Sequence, residues 1–84
     1  MNKTMILVVE DDYAVRNLIT TALETQNYIF HTAENGNQAL LEAVSQNPDA
    51  ILLDLGLPDM DGIEIIKRIR AWSNKPIIVI SART

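Results

Sequence analysis

Four short apolar runs alternate with three helical stripes along this chain, and that alternation leaves few folds open. Met5-Ile6-Leu7-Val8-Val9 and Ala50-Ile51-Leu52-Leu53 are unbroken apolar segments, too short for helices and closed by acid or by Gly and Pro. Such runs are expected of strands buried on both faces. Tyr28–Thr32 is a shorter, mixed run, and Pro76 opens a fourth, Ile77–Ile80. Between the first two, Val15, Leu18, Ile19, Ala22 and Leu23 recur at the i, i+3, i+4, i+7, i+8 spacing of an amphipathic helix. After the Asn35-Gly36 turn, Ala39, Leu40, Ala43 and Val44 repeat that spacing until Asn47-Pro48 stops it. Asp61 is a candidate N-cap for a third helix, with Ile63, Ile66 and Ile69 or Ile65 turned inward, ending near Trp72-Ser73-Asn74. The βαβαβαβ order predicts an α/β protein whose parallel sheet is covered on both faces by right-handed crossovers.

A doubly wound sheet of the flavodoxin-like type continues into a fifth strand with flanking helices. The pattern here stops after the fourth strand, so the expectation is a truncated sheet with Ile77–Ile80 at an exposed edge. Eighty-four residues suffice for one small domain, burying about 60–65% of its unfolded surface. An apolar content of 48% excludes a disordered tail. The absence of cysteine excludes disulfides and thiolate metal sites and fits a reducing compartment. No segment approaches the ~20 apolar residues of a membrane span, and Met1-Asn2-Lys3-Thr4 leads directly into a strand. A cytoplasmic protein with no membrane partner is expected. The net charge of -4 argues against this segment gripping nucleic acid by itself.

The acids are unevenly placed. Of 11 acidic residues, Glu10, Asp11, Asp12, Asp54, Asp59 and Asp61 fall in two loop segments. Glu10 and Asp54 follow the two most apolar strands directly, at the carboxyl edge where open α/β sheets place their chemistry. Glu10, Asp11 and Asp54 brought into one pocket would repel, so one must protonate or a cation must bind. A hard divalent ion such as Mg²⁺ satisfies such a cluster with one or two carboxylates, a carbonyl and waters, beside a carboxylate able to act as nucleophile. The plainer alternative is that Asp11 or Asp12 caps the first helix while Asp54 opens a turn. Asp61 is expected to be a simple cap and Gly62 to serve the helix start. His31 is expected at the surface or in packing, Arg16 and Arg70 on solvated helix faces, and Trp72 in packing. Ser81 ends the fourth strand on the edge of Asp54, as a turn hydroxyl or a functional one.

Three segments, in order, carry a resemblance: Val8-Val9-Glu10-Asp11-Asp12, Leu53-Asp54-Leu55-Gly56-Leu57-Pro58-Asp59-Met60-Asp61-Gly62, and Pro76-Ile77-Ile78-Val79-Ile80-Ser81-Ala82-Arg83. Together they resemble the receiver domain of bacterial two-component response regulators. The match runs through the whole chain and looks most like the OmpR/PhoB class, in particular its regulators of potassium transport. The resemblance implies a CheY-like fold in which Asp54 is the phosphoacceptor, charged by a sensor histidine kinase in the presence of Mg²⁺. Asp11 would be the direct metal carboxylate, Glu10 the second acid, acting through water, and Gly56 the source of a coordinating backbone carbonyl. Ser81 would be the switch hydroxyl, with Ala82 keeping the space beside it small.

The resemblance further implies a switch rather than an enzyme. The intact protein would dimerise on phosphorylation and reach DNA only through a C-terminal output domain. Residues 1–84 would then be the N-terminal portion of the receiver, without its fifth strand, last helices and output domain. The lysine and switch aromatic of receivers belong to that missing part, and Lys75 cannot substitute because it lies at the opposite end of the fourth strand. A rival class, Mg²⁺-dependent phosphatases or phosphotransferases with an aspartyl nucleophile, commonly uses a second acid two residues after the nucleophile. That position is Gly56, which cannot donate a proton from a side chain. A pseudo-receiver used only for protein contact is a third possibility, opposed by the intact acid cluster.

Overall fold

The computed structural model describes residues 3–80. Its elements run β1 (Met5–Val9), α1 (Tyr13–Thr25), β2 (Ile29–Ala33), α2 (Gly36–Gln46), β3 (Ala50–Leu53), α3 (Gly62–Arg70) and β4 (Ile77–Val79). All strand pairs are parallel and the sheet order is β2-β1-β3-β4. The expected βαβαβαβ order is therefore the observed one, with strand ends moved by one residue and α3 ending before Trp72. From β1 the chain steps one way to β2, and from β2 it steps back across β1 to β3 and on to β4. Right-handed crossovers then put α1 on one face and α2 and α3 on the other.

Alternation along the strands sorts the core. Leu7, Val9, Ile51 and Leu53 form one cluster with Ala33, Ala39 and Ala43, and with Ile65 and Ile69 of α3. The two alanines let α2 lie close to the sheet. The α3 stripe is Ile65, Ile66 and Ile69, while Ile63 points outward at 50% exposure. Capping at Asp61, whose carboxylate accepts from the Ile63 amide at 2.9 Å, starts the helix at Gly62, so positions 62, 65, 66 and 69 face inward.

On the other face, Ile6 and Val8 are buried, but the five-residue stripe expected of α1 is not its inner side. Leu18 is 71% exposed and Val15 and Ala22 are exposed as well. The inward positions are Arg16, Ile19, Thr20 and Leu23, of which Thr20 is buried and donates to the Asn17 carbonyl. Those four also obey i, i+3, i+4, i+7. Trp72, expected in packing, is half exposed. At the amino edge of the sheet, Asp49 accepts from the Met5 amide at 2.8 Å and lies 3.8 Å from the Lys75 ammonium. Among the described residues, no helix is long and apolar enough to cross a membrane.

Candidate functional site

The strand ladder does not stop at the strand ends. The Glu10 amide donates to Ala33, that of Asp54 to Val9, and that of Ile80 to Leu53. These bonds hold the residues just beyond β1, β3 and β4 in register along one edge. Glu10 and Asp54 keep the phase of Ile6, Val8 and Leu52, the side of the sheet that carries α1. One carboxylate oxygen from each of Glu10, Asp11 and Asp54 lies within 4.8 Å of the other two. Glu10 and Asp54 are buried and Asp11 is partly exposed. The convergent pocket forms, and the plainer reading holds beside it, since Asp54 Oδ1 also accepts from the Gly56 amide in the turn that follows. The helix cap is Asp12, accepting from the Val15 amide at 3.1 Å.

The three acids make an oxygen-only donor set, with neither histidine nor cysteine in it, which suits a hard divalent cation. Burial pushes the Glu10 carboxyl up to about 7. The Asp12 amide, at 3.1 Å from Oε2, pulls the other way. The charge and hydrogen bonding of Asp54, and the contact with Asp11, add to the upward push. A proton held on Glu10 near neutrality is how this cluster limits its own repulsion, and a cation would displace that proton.

The loop from Asp54 to Asp61 is fastened at several points. The Gly56 amide donates to Asp54 Oδ1 at 3.0 Å. Leu55 packs onto Gly62 so closely that a Cβ there would lie 2.4 Å from Leu55 Cδ2 and 2.8 Å from its Cα. Gly62 is thus needed for this approach rather than for the helix start alone. Asp59 reaches across to α2, accepting from the Gly36 amide at 2.7 Å and the Asn37 amide at 3.1 Å. Those donors, the Gly36 amide first, hold its carboxyl below the ordinary value.

Two residues take on roles that were not expected of them. Arg16 is not on a solvated face: its side chain is 14% exposed, and Nη1 donates to the Glu10 carbonyl at 2.9 Å. Its Nη2 pairs with Glu34 at 3.1 Å, and the guanidinium lies over the Tyr13 ring, 5.6 Å from its centroid. The spacing of Arg16 with Ile19 and Leu23 carried that signal. Asp59, whose partner is far away in sequence, had none. Arg70 remains exposed but bonds the Ser73 and Lys75 carbonyls. Ser81 and Ala82 lie outside the described residues.

A doubly wound α/β sheet in the order β2-β1-β3-β4, with carboxylates pooled at the carboxyl edge of its two central strands, is a CheY-like signalling domain. The response regulator receiver domain family matches residues 6–84, and the chain belongs to that family. It is 51% identical over 81 residues to the KDP operon transcriptional regulatory protein KdpE of Escherichia coli K12, covering 96% of this chain and 36% of that protein. Chemotaxis response regulator CheY4 of Vibrio cholerae superposes with a TM-score of 0.92 at 29% identity, over 99% of this chain and 72% of that one. The BeF3-activated N-terminal receiver domain of Klebsiella pneumoniae RstA superposes at 0.91 and 28%, over 96% and 69%. The chain spans about a third of the length of the curated relatives it matches. Those relatives are transcriptional regulators, and Mg²⁺ binding and phosphorylation are general to the family.

Proposed function

We propose that this chain is the phosphoacceptor receiver of a cytoplasmic transcriptional response regulator of the KdpE type, and that Asp54 takes the phosphoryl group from a sensor histidine kinase. The observation that carries the proposal is the meeting of Asp54 with Glu10 and Asp11 within 4.8 Å at the carboxyl edge. Asp11, Glu10, Asp54 and the Gly56 carbonyl would hold Mg²⁺. When bound, that ion neutralises charge developing on the transferring phosphoryl oxygens.

The remaining work belongs to the chain. The Gly56 amide holds Asp54 Oδ1 and so orients the carboxylate. An Asp54 oxygen forms the new bond to phosphorus as the bond to the histidine nitrogen breaks, and that nitrogen keeps the electron pair. The acyl phosphate carries a charge of about -1.5 to -2, in place of the single negative charge of the carboxylate. The Ile80 bond to Leu53 ties the end of β4 to the end of β3, which supports Ser81 as the hydroxyl that senses this charge. In the whole protein the change would pass to dimer formation and a DNA-binding output domain, with residues 1–84 as the first part of the receiver, ahead of its fifth strand and last helices. The domain acts as a switch. A phosphatase-type mechanism lacks its acid, since Gly56 stands where that acid would be.

Titration of Mg²⁺ against amide chemical shifts tests the metal assignment. Shifts should saturate around residues 10–12 and 54–56, and Asp11→Ala should weaken the affinity at least about tenfold, as one lost direct carboxylate demands. Unchanged affinity in Asp11→Ala would remove Asp11 from the site.

A further inference from the structure

The loops that carry the acid cluster are both tied to a third place, the turn that leads from β2 into α2. Arg16 joins the first loop to it, with one nitrogen on the Glu10 carbonyl and the other on the Glu34 carboxylate. Asp59 joins the second loop to it through the Gly36 and Asn37 amides. The turn is itself held, because the Glu34 amide donates to Gln38 Oε1 at 2.9 Å and the Gln38 amide to Asn35 Oδ1 at 2.9 Å. Asn35 is already the N-cap of α2. Asp59 is therefore not needed merely to start the helix: it supplies a second, distant acceptor for the first two amides of α2, of which Gly36 is buried. The approach is also close, since a Cβ on Gly36 would lie 2.7 Å from Met60 Cβ.

We infer that the turn from Glu34 to Asn37 is a brace that registers the two acid-bearing loops against each other, with Asp59 as the positioning residue on the loop leaving Asp54. The inference rests on the phosphoacceptor assignment of Asp54. Asp59 touches neither the metal site nor the phosphoryl group. It acts through the backbone between itself and Gly56, whose amide orients Asp54 and whose carbonyl is the proposed metal ligand. Phosphoryl transfer depends on placement, and small displacements of a reacting group cost large factors in rate.

The experiment compares Asp59→Ala, Asp59→Asn and Asp61→Ala with the wild type in the intact protein, below the unfolding transition of every variant. Asp61 is the control, because it caps α3 within its own segment and has no bond to the turn. Three quantities are read: phosphorylation rate with acetyl phosphate at saturating Mg²⁺, Mg²⁺ affinity, and metal-free hydrogen exchange of the Gly56 amide. Asp59→Ala should be phosphorylated roughly threefold to tenfold more slowly, bind Mg²⁺ more weakly and exchange Gly56 faster. Asp59→Asn, which keeps one acceptor, should recover part of each. Asp61→Ala should lower the melting temperature while leaving all three near wild type. Asp59→Ala with wild-type rate, affinity and exchange would overturn the brace, and so would equal losses in Asp61→Ala. A wild type that accepts no phosphoryl group would instead overturn the assignment of Asp54, and the brace would then be decided by the Mg²⁺ affinities and Gly56 exchange.

Discussion

The two faces of the sheet are built from equally apolar strands and yet are covered very differently. Under α2 and α3, Leu7, Val9, Ile51 and Leu53 meet Ala39, Ala43, Ile65 and Ile69 with almost no exposure. On the α1 side, cover is complete only over β1. Leu52 is half-buried, its register partner Ile78 is 51% exposed, and α1 turns Leu18 outward at 71%. The first face holds the register of the sheet. The second carries the phase of Glu10 and Asp54, so the acids extend from the less covered side. The loop after Asp54 is fastened through Asp59 and Leu55 toward the packed side, and the loop after Glu10 is held by Arg16 of α1. Most of the packing thus lies on one face, and the acid side chains extend from the other.

Substitution separates the faces most sharply. Leu53→Ala or Ile65→Ala should cost ~2–5 kcal/mol through lost contacts and a residual cavity, a large part of the ~5–15 kcal/mol available to a domain. Leu18→Ala or Ile78→Ala should change stability by no more than ~0.5 kcal/mol. The same exposed residues should make the 84-residue polypeptide associate through this face and the β4 edge. Lysine at positions 18 and 78 should then suppress association without loss of stability. Denaturant melts with sedimentation velocity check both. Equal losses on the two faces, or a dispersed monomer before any substitution, would erase the distinction.

A smaller effect comes from pH. Glu10 has its folded value raised from 4.5 to about 7, so between those values the metal-free folded state binds more protons than the unfolded one. Stability from this group is fully present below about 4.5 and is lost as pH rises through about 7. Mg²⁺ competes for the ionised carboxylate, so its affinity should rise across the same window and the stability loss should diminish when it is present. Melts of the metal-free protein across that range should fall with pH, and Glu10→Gln should flatten the fall. A wild-type profile already flat would contradict the proton assigned to Glu10. Asp59 has the opposite sign: its lowered value adds stability that disappears only as acid protonates it.

The order of elements was legible because apolar periodicity is a local property, and the central strands declared themselves by continuous apolar runs ending in acid. Asp54, Glu10 and Asp11 could be grouped for the same reason: parallel strands deliver their ends to one edge. The inner face of α1 was hidden because its apolar residues spread over more than one face, while Arg16 and Thr20 occupy inward positions as polar residues. The outward turn of Ile63 depended on where the cap fell. Asp59 and its partners on α2 are separated by more than twenty residues, and no spacing rule links an exposed loop acid to a distant helix start.

The central claim is that Asp54 is the phosphoacceptor. It is tested most directly by treating the intact protein with a small phosphodonor and Mg²⁺, then locating the modification by mass spectrometry of peptides covering residues 10–12 and 54–61. One acid-labile phosphoryl group on Asp54, absent in Asp54→Asn and not formed when Mg²⁺ is chelated before the phosphodonor is added, is the expected result. Label that persists at the wild-type level in Asp54→Asn, or that sits on Asp12, Asp59 or Asp61, would contradict it.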